Sequence, residues 1–482
     1  MINQLYWDLE TTSKNTKFSS ICSVHMELVN DTFQSLDKYS SFCSLRPGII
    51  PEIGAVLVTG LTPKILQQKN KSHFQMVKEI HHFIKSKKPV IMSGWNNILY
   101  DSMVLESAFY QCLLPVYVER LEGNRRHDLL STARATSVFD PKKINYPLNE
   151  KKLPFFKLED VCKANNINPE GDFHSSEVDV KSTIQIGKLI AEKCPLIWKS
   201  ALLNLTKYEI SNAVQKEKMF STFESYYGRN HPKLGTWLCT HKAYKYELAW
   251  DLAQDPQEVI NLMNDYSAFK KAISATPKKI RTIRPNRSQI ILHPEQAQRV
   301  EPYSAISINT LNSRVNLINK NKERLTQLID RINEEKVQEK QELDDQLEGS
   351  LYPEETIYPG SIQISKKDEK LMQDFHSSND WNSRVKFIDK FDSQNFNWFC
   401  KRLIYDESPS SLSKEQFNEI HREIAKRLFS ENEEKFVTIK EAQHQIDEKY
   451  GELEDTGNDD KIKLVREVDE YVDKVKKIYQ EA

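Results

Sequence analysis

The stretch YWDLETT, residues 6–12, constrains this chain more than any other. It belongs to the run INQLYWDLE, which reads as a β-strand ending in acids. Side chains at i and i+2 of a strand point to one face. Tyr6, Asp8 and Glu10 therefore share one face, and Leu5, Trp7 and Leu9 share the other. Two carboxylates side by side on a buried sheet repel each other. They stay ionised together only with a cation between them; otherwise one takes up a proton. Hard divalent cations such as Mg²⁺ favour oxygen ligands of this kind. Taken in isolation, the same pair also fits a strand end emerging into solvent.

Downstream, SICSVHMELV and SSFCSL read as further strands of an antiparallel meander. TPKILQQ starts a helix with Thr62 as N-cap and Pro63 in its first turn. FQMVKEIHHFI spaces Phe74, Val77, Ile80 and Ile84 as an amphipathic helix, and PVIMSGW is a short buried strand. DSMVLESAFYQCLL, KLEDVCKANN and SSEVDVKSTIQIGKLIAEK complete a mixed α/β domain over residues 1–195. A less regular second domain follows over 196–345, with strand candidates at YKYELAWDL and RSQIILHP. It ends in a charged, largely solvated helix, NKERLTQLIDRINEEKVQEKQELDDQL. A Gly- and Pro-bearing linker is expected at 346–360 and a helical domain at 361–482. At 482 residues, two or three domains are expected.

Further acids sharpen the reading of the first strand. Asp101 opens a helix directly after the buried strand that ends in GWNN. Asp179 lies near the apolar stripe of its helix, where a carboxylate needs a partner. His174 lies five positions earlier, on the loop before that helix. In order and spacing, Asp8-Leu-Glu10, Asp101 and His174-x-x-x-x-Asp179 resemble the DEDD exonucleases, histidine branch. That resemblance implies an RNase H-like fold. It narrows to the exonuclease I family through PEIGAVLVTGLTP, NRRHDLLSTARA, INYP and LPFFKLEDVCKANNI. MFSTFESYYG, LAWDL and RTIRPNRSQIILHPE are similar to that family's SH3-like second domain. SRVKFIDKFD is faintly similar to its third, helical domain. The fold implied is thus an α/β RNase H-like domain with a mixed sheet, then an SH3-like α+β domain and a C-terminal helical domain. In CKRLIYDESPSSL acids stand where the family has an Arg-rich stretch.

The resemblance implies a Mg²⁺-dependent 3′→5′ exodeoxyribonuclease acting on single-stranded DNA and releasing 5′-mononucleotides, with a role in DNA repair and recombination. Asp8, Glu10, Asp101 and Asp179 would hold two Mg²⁺ ions, for which Mn²⁺ can substitute. His174 would be the general base toward water, since imidazole titrates near neutrality. Glu10, Leu57, Val58, Thr59 and Leu61 would meet the terminal nucleotides. Trp95, Tyr100, Tyr146, Phe155 and Phe156 are candidate stacking partners for bases. Arg126, with Arg120 and Arg125, and Arg281 and Arg284, with Lys278, Lys279 and Arg287, are candidate phosphate contacts. A charged edge strand would carry the latter group equally well. The family also implies a partner, the single-stranded-DNA-binding protein, whose acidic tail would dock on basic residues near Lys142 and Lys143 or in the second domain. Two other functions fit the residues: a 3′→5′ exoribonuclease of the same superfamily, and a non-catalytic nucleic-acid-binding scaffold.

The net charge of −1 supplies no global attraction to nucleic acid, so binding must come from local patches. Seven cysteines without a CxxC pair speak against a disulfide framework or a zinc site and fit a reducing cytoplasm. No signal peptide or membrane span is expected, and a monomer is.

Overall fold

The computed structural model describes residues 2–169, 171, 174–346, 351–357 and 364–481. The strands of its first sheet are β1 (Gln4–Thr11), β2 (Ile21–Val29), β3 (Ser35–Phe42), β4 (Ile91–Gly94) and β5 (Arg125–Asp128), in the order β3-β2-β1-β4-β5. β1, β2 and β3 pair antiparallel, the expected meander, while β4 runs parallel to β1 and β5 parallel to β4. Among the described residues, nine helices alternate with or follow these strands: α1 (Ile53–Thr59), α2 (Pro63–Gln67), α3 (His73–Lys87), α4 (Asp101–Gln111), α5 (Leu129–Phe139), α6 (Leu158–Ala164), α7 (Ser176–Lys193), α8 (Pro195–Leu203) and α9 (Lys207–Lys216). Thr62 caps α2 by accepting the Ile65 N–H, with Pro63 at the first helical position.

The period-two alternation of β1 splits the molecule's core. Leu5, Trp7 and Leu9 join one cluster with Val77, Ile80 and Ile84 of α3 and Val104, Leu105 and Phe109 of α4. Phe399 and Leu403 of helix Gln394–Glu407 and Val465 and Val472 of helix Asp459–Tyr479 belong to the same cluster. Tyr6, on the opposite face, joins Leu129 and Ala133 of α5 and Val180 and Ile184 of α7 in a second cluster. Each fully buried side chain of this size contributes about 2 kcal/mol. β1 is therefore held from both sides.

The second sheet is antiparallel throughout, in the order β6 (Phe220–Tyr226), β7 (Arg229–Thr240), β8 (Glu247–Asp251), β9 (Ile280–Ile283). Leu234 and Trp250 extend the Tyr6 cluster into it, so it leans on the α5–α7 side of the first sheet.

Four local expectations are corrected. GAVLVTGLTP, for which the resemblance to the exonuclease I family implies a loop, begins as helix α1, which Gly60 ends in the left-handed conformation at φ 69°. RSQIILHP is not a regular strand; among the described residues its ladder pairing with the sheet is the isolated bridge Ser221 to Leu292. Ser288 in that run is left-handed, and Pro294 has no N–H to give a ladder. Helix Lys322–Gln346 is not largely solvated over its first half, because Leu325, Leu328, Ile329 and Ile332 are buried. SSFCSL covers only the end of β3. Of the expected linker, residues 347–350 and 358–360 lie outside the described residues.

Candidate metal centre and nucleic-acid cleft

Three elements deliver the acids. Asp8 and Glu10 project from β1, whose register against β2 shifts between Glu10 and Thr11. Such an irregularity re-aims side chains at a strand end. Asp101 is the first residue of α4, delivered by the turn after β4. Asp179 lies in the first turn of α7. The Ser23 and Ser176 hydroxyls, 2.9 Å apart, tie the start of α7 to β2. Because β1 and β4 are parallel neighbours, their ends open on one crevice, where sheets of this kind bind ligands.

Asp8, Glu10 and Asp179 each bring a carboxylate oxygen within 4.8 Å of the others. Asp101 is not in that tight group, but its charge reaches it. Burial first, then Asp101, Glu10 and Asp179, push the Asp8 carboxyl well above the carboxylate range. Burial, with the charges of Asp179 and Asp101, lifts Glu10 to about 9. Burial lifts Asp101 to about 8 against the favourable backbone at Asp101 and Leu9. Burial also raises Asp179, while His174 pulls it back. Asp179 Oδ1 is buried without a hydrogen-bond partner. Converging carboxylates, mutual repulsion and an orphaned oxygen are what a divalent-cation site of oxygen ligands requires. The residues present fit the expected metal.

His174 is partly exposed at the approach to α7 and left-handed at φ 69°, a conformation uncommon for a residue with a side chain. It is close enough to Asp179 to stabilise the carboxylate. The structure thus brings His174, Asp8, Glu10, Asp101 and Asp179 to one crevice.

The other sequence candidates separate. Leu57, Val58, Thr59 and Leu61 lie on α1 and just past its end. The helix is moored beside the site by the Glu52 N–H, which donates to Thr12 O at 2.9 Å. Val58 is 55% exposed, so α1 offers apolar surface to a ligand. Phe155 is exposed, whereas Phe156 and Tyr146 pack on each other at 5.0 Å and Trp95 donates to Phe156 O. The Tyr100 hydroxyl is engaged by Thr11 at 2.5 Å. Arg126 is not brought to the acids. It pairs with Met92 on β4, which pairs with Leu5, so it shares the apolar face and approaches Glu106. Arg120 pairs with Glu106 and Arg125 with Glu209. Arg281 is held by Asp251 at 3.0 Å and Glu224 at 2.8 Å, which leaves its guanidinium little to offer a phosphate. Lys279 donates to Ala272 O, and Lys143 is paired with Asp140.

Arg284 and Arg287 are exposed, and with Lys278 they line a cleft of about 640 Å³ between the two sheets. Asn96, Leu99, Asp128 and Arg134 line it from the first sheet's side. Tyr226 and Tyr227 stand at the β6–β7 hairpin, and Tyr227 is 95% exposed. That hairpin was missed; its signal in the sequence is the YYG triplet between two β-rich runs. Asn97 was missed as well. It is buried in the turn before Asp101 with neither amide atom partnered.

The acids of CKRLIYDESPSSL turn inward. Asp406 accepts from Arg46 at 2.9 Å and from Arg402 at 2.8 Å, and Glu407 accepts from Ser72 at 2.7 Å. Among the described residues, no helix is long and apolar enough to cross a membrane.

No family model matches the chain. Exodeoxyribonuclease I of Buchnera aphidicola subsp. Schizaphis graminum is 28% identical over 255 residues, 52% of this chain and 51% of that protein. Exodeoxyribonuclease I of Escherichia coli K12 is 30% identical over 179 residues, 37% of this chain and 37% of that protein. The chain thus spans about half the length of these curated relatives, or less. An exonuclease I from Methylocaldum szegediense superposes with a TM-score of 0.79 at 19% identity, covering 98% of this chain and 100% of the other. E. coli exonuclease I in complex with a dA16 oligonucleotide gives 0.79 at 18%, with the same coverage. An ExoI/SSB-Ct complex gives 0.78 at 19%, covering 98% and 99%. The mixed sheet, antiparallel sheet and helical region therefore form the architecture expected from the sequence. This chain is similar to exonuclease I in sequence over about half its length and in fold over nearly all of it.

Proposed function

We propose that this protein is an exodeoxyribonuclease that removes 5′-mononucleotides from the 3′ end of single-stranded DNA, acting in DNA repair and recombination. The convergence of Asp8, Glu10 and Asp179 within 4.8 Å, beside Asp101, carries this reading. These four carboxylates would hold two Mg²⁺ ions, with Mn²⁺ as a substitute. Cations bound there supply Lewis acidity toward the phosphate and the attacking water. His174 takes the proton from that water as the phosphodiester bond is attacked. Leu57, Val58, Thr59 and Leu61 press on the terminal bases, and Phe155 and Tyr227 offer exposed rings for stacking. Arg284, Arg287 and Lys278 follow the phosphates along the cleft. The nuclease unit spans 1–195, the SH3-like unit 196–345 and the helical unit 361–482. We place the protein in the cytoplasm as a monomer and extend to it the partnership with single-stranded-DNA-binding protein that the ExoI/SSB-Ct complex suggests.

The test is end-labelled single-stranded DNA, duplex DNA and RNA of matched sequence, incubated with Mg²⁺. Mononucleotides are expected from the 3′ end of single-stranded DNA. Faster attack on RNA would make the protein an exoribonuclease, and no metal-dependent release from any substrate would make it a scaffold. His174→Ala is expected to lower kcat by about 10²–10⁴ while leaving DNA affinity in EDTA unchanged. Near-normal turnover in that variant would remove His174 from the role of base.

A further inference from the structure

Asp128 ends β5 and caps α5 by accepting the Leu130 N–H at 3.0 Å. That role would satisfy an ordinary N-cap. The same oxygen also accepts the Asn96 N–H at 3.0 Å, across to the turn that follows β4. Asn96 is left-handed at φ 62° and opens the short 3-10 segment Asn97–Leu99. That segment leads through Tyr100 directly into Asp101. A left-handed non-glycine residue is uncommon and persists where its surroundings hold it. The bond from Asn96 to Asp128 is such a hold.

Asp128 is itself held from the second sheet's side. Its backbone N–H donates to Ser288 Oγ at 3.1 Å, 160 positions away in sequence. Ser288 is 5% exposed and left-handed at φ 48°, directly after the Pro285–Arg287 turn that presents Arg287 to the cleft. Ser288, Asp128 and Asn96 thus form a continuous hydrogen-bonded line. It runs from the cationic wall of the cleft to the turn that delivers a metal-site carboxylate.

We infer that Asp128, braced by Ser288, is a positioning residue for Asp101, so that the second unit sets the geometry of the metal centre as well as lining the path to it. The inference rests on the function proposed above. Groups around a metal site that orient its ligands typically command about 10–100-fold in metal affinity or activity.

Three variants test it: Ser288→Ala, Asp128→Ala and Asp128→Asn. Asparagine keeps an oxygen able to accept from Asn96. The readouts are kcat and KM on single-stranded DNA, Mn²⁺ affinity by calorimetry without DNA, and DNA affinity in EDTA. Asp128→Ala is expected to lose about tenfold or more in both kcat and Mn²⁺ affinity. Ser288→Ala should lose about fivefold in each, the share of one buried hydrogen bond. Any change in KM or in DNA affinity in EDTA should be smaller than the loss in kcat and Mn²⁺ affinity, since both side chains also line the cleft, and Asp128→Asn should recover most of that loss. Wild-type kcat and Mn²⁺ affinity in Ser288→Ala would overturn the inference. So would a change confined to KM, which would mean that the line serves DNA binding alone. If Asp128→Ala does not fold, Ser288→Ala and Asp128→Asn still decide. A wild-type protein that releases no nucleotide would end the proposed function instead, and the calorimetric comparison would then judge the positioning by itself.

Discussion

Glu10 keeps its proton up to about pH 9 in the metal-free protein, because it is largely buried and faces Asp179 and Asp101. Its folded value lies above the ordinary 4.5, so the folded state holds a proton that the unfolded state has released. Stability contributed by that proton is present below about pH 4.5 and is lost as pH rises toward about 9. Asp101, lifted to about 8, acts in the same direction. In EDTA the melting temperature should therefore fall as pH is raised from 5 to 8, and Mn²⁺ should restore it at pH 8. Glu10→Gln is neutral at every pH, so its folded state does not have to take up the proton that Glu10 needs at pH 8. At pH 8 in EDTA it is expected to melt roughly 2 °C above wild type while losing nuclease activity. Scanning calorimetry at the two pH values reads both effects, and a Glu10→Gln protein that melts below wild type at pH 8 would contradict the electrostatic account. Asp101 and Asp179 could be placed on helices from their own surroundings, but their reading as one site with His174 came from the order and spacing that resemble the DEDD exonucleases. The placement of Arg126 could not be read from the sequence. β5 is four residues of RRHD with no apolar alternation, so nothing in its sequence says which face Arg126 takes. Only pairing through Met92 to Leu5 assigns it to the far face.

At the scale of elements, α7 is the piece whose placement matters most to the acids, and Gly187 sets how closely it lies. A Cβ at Gly187 would stand 2.8 Å from Tyr6 Oη and 3.4 Å from Phe33 and Trp198. Tyr6 is fully buried and donates to Gln4 Oε1, so it cannot swing away freely. Gly187→Val is expected to cost about 2–3 kcal/mol by overpacking and to lower kcat, since the helix that backs off β1 carries Asp179. Urea denaturation measures the first effect and nucleotide release the second. Gly187→Ala should be milder, because alanine gains about 1 kcal/mol in helix propensity. Helices α3, α4 and α7 could be read from their own spacing. α1 could not: seven residues containing Gly54 and two valines make a poor isolated helix. Its partners are remote. The Ile53 N–H donates to Gln445, and Thr62 just beyond it donates to Glu467. The expected strand at RSQIILHP failed similarly, since its apolar run buries Ile290, Ile291 and Leu292 without forming a ladder.

For the whole molecule, the helical region is part of the floor beneath the first sheet. Arg46 from the first unit and Arg402 from the last converge on Asp406, all three side chains being nearly buried. The core that contains Leu5 and Trp7 also contains Val465, Val468, Val472 and Val475, about 460 positions later. This separation has a consequence in time. A ribosome adding about 5–20 residues per second needs on the order of half a minute to travel that far. During that interval the underside of β1 lacks part of its cover. Ribosome-bound chains stalled after residue 438 are expected to be clipped by protease near β1 and β2 and to release no nucleotide. Chains in which helix Asp459–Tyr479 has emerged should resist cleavage and be active. Equal resistance in both would show that the floor closes without that helix. The distance along the chain between the two sides of one core thus acts as a delay between the synthesis of β1 and the closing of the floor beneath it.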